Sequence, residues 1–460
     1  MNKRPSPFWQ ECKRILLLSF PIVIAQFAQT ANGFVDTVMA GRVSPDDLAA
    51  VAVGSAIWVP VFLFLVGVMQ GLTPFVAQYR GRSDHSAIGA VVQQGLWLAI
   101  PLGLLGFLMM RSMQPVLTLM DVDDGIQPMI LGYLDGLSWG FPAITLFLAL
   151  RALTEGMSFT KPIMVVSLIG LAVNIPVNYV LIYGKLGFPA LGGVGCGWAT
   201  FVVMWLMLIL MSIYCIAFDR NQGTGLFQRF VGPRLPQITQ IIKVGLPIGL
   251  SIFIEVSLFC VIALFIAGIG AQVVASHQIA LNAASMTFMI PLSLSLALTV
   301  RVGTNLGKGD LAAVHNSTWS GLAIILVIAL FNSSMMALFR TQIAGIYTDD
   351  LMVIELAAGL LLFAALFQIS DCLQVSANGV LRGMKDTAWP MLITVLAYWC
   401  LGLPIGYSLG LTDWIVPAMG ARGFWIGLLV GLTAAAVMLC GRVIWRLRSM
   451  PHPGYSKPFT

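Results

Sequence analysis

Apolar residues run along this chain in long stretches separated by short polar segments. A helix of about 20 apolar residues spans a hydrocarbon core about 30 Å thick. The pattern predicts twelve such helices, at about 13–38, 50–77, 90–110, 128–150, 160–183, 192–217, 239–268, 276–303, 317–338, 351–376, 386–410 and 419–447. The pattern also repeats. "LTPFVAQYRGRSD" at 72–84 returns as "LTVRVGTNLGKGD" at 298–310, an offset of 226 that maps Pro21 onto Pro247. Later pieces keep nearly the same spacing: Gly156 and Met157 match Gly383 and Met384 at 227, and Pro176, Gly192 and Gly195 match Pro404, Gly420 and Gly423 at 228.

Six spans per repeat is an even number, so both halves enter the membrane in the same sense. The expected architecture is all-α, with two parallel six-helix lobes related by a pseudo-two-fold along the membrane normal. The lobes are expected at 1–217 and 239–460, with the polar stretch 218–238 as a cytoplasmic linker.

Composition agrees with this picture. Hydrophobic residues make up 58% of the 460 and charged residues only 10%, with a mean hydropathy of +0.90, whereas soluble domains carry about 25% charged residues. The first apolar stretch exceeds signal-peptide length and ends at no small-residue cleavage site, so it is expected to stay in the mature protein. Lys and Arg collect in cytoplasmic loops. With the N-terminus inside, the inner segments hold 20 basic residues, Arg151, Arg301 and Arg382 among them, and the outer loops 5. Both termini are therefore expected in the cytoplasm. This bias also accounts for the net charge of +6 without a nucleic-acid footprint. Seven scattered cysteines form no CxxC pair, and no phosphate-binding glycine loop or HExxH motif occurs. The expectation is a transporter rather than an enzyme, with no cofactor, energised by an ion gradient.

Carboxylates inside the spans are the candidate chemistry. A charge at the bilayer centre costs about 2.5–3.5 kcal/mol on insertion scales, so it normally faces a bundle interior or an ion path. Asp36 ("GFVDTVM"), Glu255 ("SIFIEVSLF") and Asp371 ("LFQISDCLQ") occupy such positions. Gln29, Asn32 and Asp36 share one helix face, as do Gln368, Asp371, Gln374 and Asn378. In "NIPVN", Asn174 and Asn178 are one turn apart, and Pro176 removes a donor, which frees the Ala172 carbonyl. Together with a carboxylate these oxygens suit a hard cation, although an asparagine pair in a membrane helix equally serves as helix–helix glue. Gln278 and Asn282 of "HQIALN" either line a cavity or pack.

Several segments in order, "FVDTVMAG" (34–41), "EGMSFTKP" (155–162), "NIPVNY" (174–179), "GGVGCG" (192–197), "ASHQIALN" (275–282), "RVGTNLGKGD" (301–310) and "VLRGMKD" (380–386), resemble the multidrug and toxic compound extrusion family, in its bacterial NorM branch. The resemblance covers essentially the full length. It implies a monomeric multi-pass protein of the bacterial inner membrane that exports amphipathic, often cationic compounds in exchange for H+ or Na+. It also implies a first-lobe cation cluster at Asp36, Asn174 and Asn178, with possible Na+ there, and a second-lobe cluster at Glu255 and Asp371. Some relatives carry a tyrosine one turn before the second-lobe acid where this chain has Phe367, which removes one possible sodium ligand. The rival expectations are a major-facilitator exporter, a lipid-carrier flippase with a cavity lined by arginines, and a channel or receptor that cannot concentrate a substrate.

Overall fold

The computed structural model describes residues 7–119, 122–228, 230–414 and 416–450. Lys3, Arg4, Arg229 and Lys457, counted in the charge bias, lie outside them, as do the two termini. Among the described residues all regular structure is helical. In the first half the helices are α1 (Pro7–Gly41), α2 (Pro45–Gln70), α3 (Thr73–Gly81), α4 (His85–Arg111), α5 (Gln114–Leu119), α6 (Gln127–Ser138), α7 (Phe141–Gly156), α8 (Lys161–Tyr183) and α9 (Val194–Gln222). The second half has α10 (Leu235–Ala267), α11 (Ala271–Gly307), α12 (Leu311–Leu338), α13 (Arg340–Gly345), α14 (Leu351–Gly383), α15 (Ala388–Val395), a π-helical segment (Leu396–Gly402), α16 (Leu403–Leu411) and α17 (Ala421–Ser449). Among the described residues eleven helical stretches are long and apolar enough to cross a membrane, and α6 and α7, bent by 42° at a short break, pass the same test together, up to twelve in all. All twelve expected spans are thus accounted for.

The repeat is visible in the backbone itself. Asp84 and Asp310, related by 226, each cap the next helix by accepting from a backbone N–H, of Ala87 at 3.0 Å and of Ala313 at 2.9 Å. The residue before each cap is left-handed, Ser83 at φ 58° and Gly309 at φ 73°. Ser158 and Lys385, related by 227, share a left-handed φ of 59° and 60° just after α7 and α14. Non-glycine residues seldom adopt this conformation, so its recurrence at equivalent positions marks a duplicated design. Gly195 and Gly423 complete the series: a Cβ on either would press on the backbone of Leu181 or of Leu409 and Gly410, the equivalent residues of each half.

The chain forms two compact units that do not coincide with a cut in the linker. One combines the chain up to Ser19 with residues from Leu250 onward; the other is Phe20–Gly249. The start of α1 belongs with the second half because Glu11 holds Arg301 through two hydrogen bonds, at 2.7 and 2.6 Å, accepts a third from Ser317 at 2.7 Å, and Ile15 packs into that half's apolar core. The start of α10 belongs with the first half because Gly71 and Gly245 let α10 approach the end of α2 so closely that a Cβ at Gly71 would lie 2.5 Å from the Gly245 Cα.

The expected linker is also largely bound. Residues 218–222 finish α9, and α10 begins at Leu235. The loop between them is fastened to α4: Gln93 accepts from Val231 N at 2.7 Å, Gln94 accepts from Arg234 N at 2.6 Å, and Trp97 donates to the Val231 carbonyl at 3.1 Å. Asp219 accepts from the N–H groups of Leu226 and Phe227. These side chains satisfy backbone groups that no helix ladder serves.

Candidate functional site

In the unit Phe20–Gly249, Asp36 lies near the end of α1 and is 6% exposed. It is enclosed by α8 and α9. Asn178 Nδ2 donates to its Oδ1 at 2.6 Å, Asn174 Nδ2 approaches the same oxygen at 3.4 Å, and Thr200 Oγ1 donates to Oδ2 at 3.3 Å. Asn178 also donates to Asn174 Oδ1 at 3.0 Å. The residues of the predicted first-lobe cluster therefore meet. The "NIPVN" spacing aims both amides at one carboxylate because residues four apart stack on one helix face.

The "GGVGCG" glycines bring α9 close enough to contribute. A Cβ at Gly197 would overlap the Tyr133 carbonyl of α6, and one at Gly192, at φ 56°, would overlap the Asp47 carboxylate, which accepts from Gly193 N at 2.6 Å. With α9 seated this closely, Thr200 reaches the Asp36 carboxylate and Cys196 Sγ contacts the Asp36 carbonyl at 3.6 Å. Tyr133 is buried within electrostatic reach of Asp36, its hydroxyl accepting from Trp58 Nε1 at 2.9 Å. Thr200 and Tyr133 were not among the sequence candidates, for neither stands at a helical spacing from an acidic residue.

The chemistry open to this cluster follows from its atoms. As oriented, the amide N–H groups face the carboxylate, while Asn178 Oδ1 is buried without a hydrogen-bond partner. An amide flip exchanges nitrogen for oxygen at nearly the same place. The same residues thus offer donors to an ionised carboxylate or oxygens to a cation. Asn32, one turn before Asp36, also has a buried Oδ1 without a partner, and Gln29 is half-buried.

In the other unit Asp371 is 4% exposed on α14, and the half-buried Glu255 is close enough for the two charges to act on one another. Two residues that the sequence reading did not select complete this constellation. The Arg382 guanidinium, buried near the end of α14, acts on Glu255. Tyr398, in the π-helical segment, lies within reach of both acids and donates to Gln374 Oε1 at 2.9 Å. Arg382 was counted among the inner-loop basic residues, yet it lies within a helix, as do Arg151 and Arg301. Arg151 pairs with Glu155 at 2.8 Å, both buried.

Of the remaining candidates, Gln368 is buried and accepts from Thr287 at 3.2 Å. Phe367 packs between Phe259 and Trp425, with ring centroids at 6.4 and 6.0 Å. Gln278 and Asn282 are exposed on the surface of their unit. The two acid clusters are not repeats of one another: at the offset of 226 Glu255 corresponds to Gln29, and at 228 Asn174 and Asn178 correspond to Gly402 and Gly406.

Comparison with known proteins agrees with this architecture. The MatE family model matches residues 21–180 and 247–408, two segments that begin at the repeat-related Pro21 and Pro247. The multidrug resistance protein PmpM of Pseudomonas aeruginosa is 49% identical over 434 residues, covering 94% of this chain and 91% of its own. A probable multidrug resistance protein NorM of Shewanella oneidensis is 46% identical over 444 residues, 96% of each chain. Among solved structures, the eukaryotic MATE transporter AtDTX14 superposes with a TM-score of 0.86 at 20% identity, covering 95% of this chain and 96% of that one. An outward-facing multidrug resistance MATE family transporter of the MOP superfamily gives 0.87 at 20% identity over 97% and 99%. At that identity the two structures speak to the fold alone. The major-facilitator alternative is set aside by the family match. With twelve spans in two repeats, and with relatives near half identity over almost the whole length, the chain belongs to the MatE family of membrane transporters, the multidrug and toxic compound extrusion family that its motifs resemble.

Proposed function

We propose that this transporter is a secondary active multidrug exporter, which moves amphipathic, often cationic drugs and dyes out of the bacterial cytoplasm in exchange for protons, sodium ions or both. The multidrug resistance names of its relatives support the substrate class. One observation carries the coupling: Asp36, buried inside its unit, is met by Asn174, Asn178 and Thr200 and by no basic side chain among its hydrogen bonds. Its charge is then left to a mobile cation, since a desolvated carboxylate needs either a proton or a counter-ion. A cation can drive export only by favouring one lobe conformation over another, which is the physical content of alternating access. On this reading the protein needs no cofactor beyond the coupling ion, works as a monomer among the lipids of the inner membrane, and keeps both termini in the cytoplasm.

The test is flux of a cationic dye in liposomes holding the purified protein, under a pH gradient and a sodium gradient applied separately. A pH gradient alone is expected to drive concentrative transport, with sodium competing for Asp36. Transport under sodium but not under pH would overturn the proton assignment. Passive equilibration under both would make the protein a channel rather than a pump.

A further inference from the structure

The two repeats bring three side chains together at the same place and build them from opposite chemistry. In the first, Phe159 precedes Thr160, the N-cap residue of α8, and meets Phe218 edge-on with ring centroids 5.1 Å apart, while Phe218 stacks on Tyr214 at 5.9 Å. In the second, Asp386 precedes Thr387, the N-cap residue of α15. An offset of 227 maps Phe159 onto Asp386, and one of 228 maps Tyr214 and Phe218 onto Arg442 and Arg446. These three also meet. Arg442 Nε donates to Asp386 Oδ2 at 3.0 Å, a terminal nitrogen of Arg442 lies 2.9 Å from that oxygen, and Arg446 Nε lies 2.9 Å from it as well. Aromatic rings fill this place in one half, so the fold does not require the charges found in the other.

One carboxylate here faces two guanidiniums. Each guanidinium carries five N–H donors, and Arg446 Nε, although close to Asp386, has no hydrogen-bond partner. The cluster therefore keeps a net positive charge and spare donors. A cation near a helix C-terminus complements the helix dipole, but Arg448 already fills that role in α17 as its equivalent at 228, Arg220, does in α9. Arg442 and Arg446 are additions peculiar to the second half. Their setting is the membrane surface. From Arg422 to Arg442 no residue between is charged, a run of about 30 Å of helix that matches the hydrocarbon core. The two arginines thus stand at the level of the lipid headgroups, where tryptophan also settles. Arg442 Cζ lies 5.1 Å from the ring centroid of Trp389 and 4.4 Å from that of Trp445, and both tryptophans are 53% exposed.

We propose that Asp386, Arg442 and Arg446, flanked by Trp389 and Trp445, form a binding site for the headgroup phosphate of an anionic phospholipid. Asp386 orients the guanidiniums, and the phosphate takes the donors that Asp386 leaves over. Guanidinium suits this ligand because its planar fork of donors matches phosphate oxygens in pairs. The surplus positive charge selects an anionic headgroup over a zwitterionic one, and the indole rings offer apolar faces to the glycerol and upper acyl chains.

The probe is dioleoyl phosphatidylglycerol added to the purified full-length protein in detergent, compared with phosphatidylethanolamine of the same chains and with inorganic phosphate. Melting temperature and retention of lipid in native mass spectra are the readouts. Phosphatidylglycerol is expected to stabilise the protein and stay bound more than phosphatidylethanolamine, and the difference should shrink in high salt. Arg446→Gln leaves the hydrogen-bonded Arg442 pair with Asp386 in place and should raise the half-saturating phosphatidylglycerol concentration about fivefold, the effect of one basic residue at an anionic lipid surface. The triple variant Asp386→Phe/Arg442→Tyr/Arg446→Phe gives the second half the aromatic cluster of the first; it should fold and lose the preference for phosphatidylglycerol. If it does not fold, Arg446→Gln decides by itself. A parent that binds both lipids equally, or a preference undiminished in Arg446→Gln, would overturn the proposal. Equal stabilisation by inorganic phosphate would make this a site for free anions and overturn its assignment to lipid.

Discussion

Asp36→Asn keeps the shape of the side chain and removes its charge and its titratable proton. Dye export is expected to fall by at least about 100-fold, to the background of cells lacking the protein, because an amide can neither bind a proton reversibly nor act as a full counter-charge. Normal membrane insertion at matched expression would show that the fold survives, and normal extrusion would refute the role. Asn174→Ala and Asn178→Ala remove two groups within reach of that carboxylate. They are expected to weaken any sodium effect more than the proton-driven flux, since sodium needs several oxygens around it and a proton needs one acid. An unaltered sodium response in both variants would exclude this pocket as the sodium site. Glu255→Gln and Asp371→Asn should reduce export partially to severely, measured as dye efflux rate per folded transporter. The acids and the asparagine pair were legible in the sequence because a carboxylate in an apolar run stands out and helical spacing says which residues share its face. Thr200 was not, for it reaches Asp36 from a helix whose approach only the fold decides, and neither was Tyr133, whose backbone that helix packs against at Gly197.

At the scale of the element, close helix approaches at glycine hold the site together. A side chain at Gly197 would meet the Tyr133 backbone, and α9 also carries Cys196 and Thr200 onto Asp36. Gly197→Ala is therefore expected to destabilise the protein by about 1–3 kcal/mol through overpacking, seen as a lowered melting temperature in detergent. Gly441→Ala, on α17 with open space around it, should leave the melting temperature unchanged or raise it slightly, since alanine is the better helix former. Equal effects of the two would remove the packing argument. The glycine motif was visible as a string of letters, but which helix each glycine admits depends on the partner's position. The same holds for "RGRSD" and "LGKGD": their repetition is in the sequence, and their shared left-handed residue and capping aspartate emerge only in three dimensions.

At the scale of the whole molecule, the charge bias and the even number of spans make a topological prediction. In a cysteine-free background, reporters at Ser6 and Ser456 should be shielded from an impermeant thiol reagent in intact cells, and one at Lys185, exposed between α8 and α9, should be labelled. Labelling at either terminus would overturn the even count. The lobes exchange the starts of α1 and α10, so that α1 is fastened by Glu11 to Arg301 in one unit and carries Asp36 in the other. Glu11→Gln leaves Arg301 without its carboxylate partner in a partly buried setting, and a loss of about 3–5 kcal/mol is expected for such a broken pair where it is fully buried, less here. A melting temperature unchanged by Glu11→Gln would show that the ion pair does not fasten the helix.

The sequence alone determined the class, the twelve spans and the duplication, because the solvent dictates them. A bilayer demands helices of fixed length, and a duplicated gene leaves its period in prolines, glycines and caps wherever these shape the backbone. It also supplied Asp36, Asn174, Asn178, Glu255 and Asp371, since their residue types are costly in an apolar span. What only the tertiary structure decided is partnership. Arg382 reads in sequence as an ordinary loop charge near the end of a span, and the fold instead buries it within the last turn of α14. The boundaries of the two compact units followed in the same way from side chains far apart in the chain, Glu11 with Arg301 and Gly71 with Gly245. Periodicity describes one helix and its faces; which faces meet is settled by close packing among all of them.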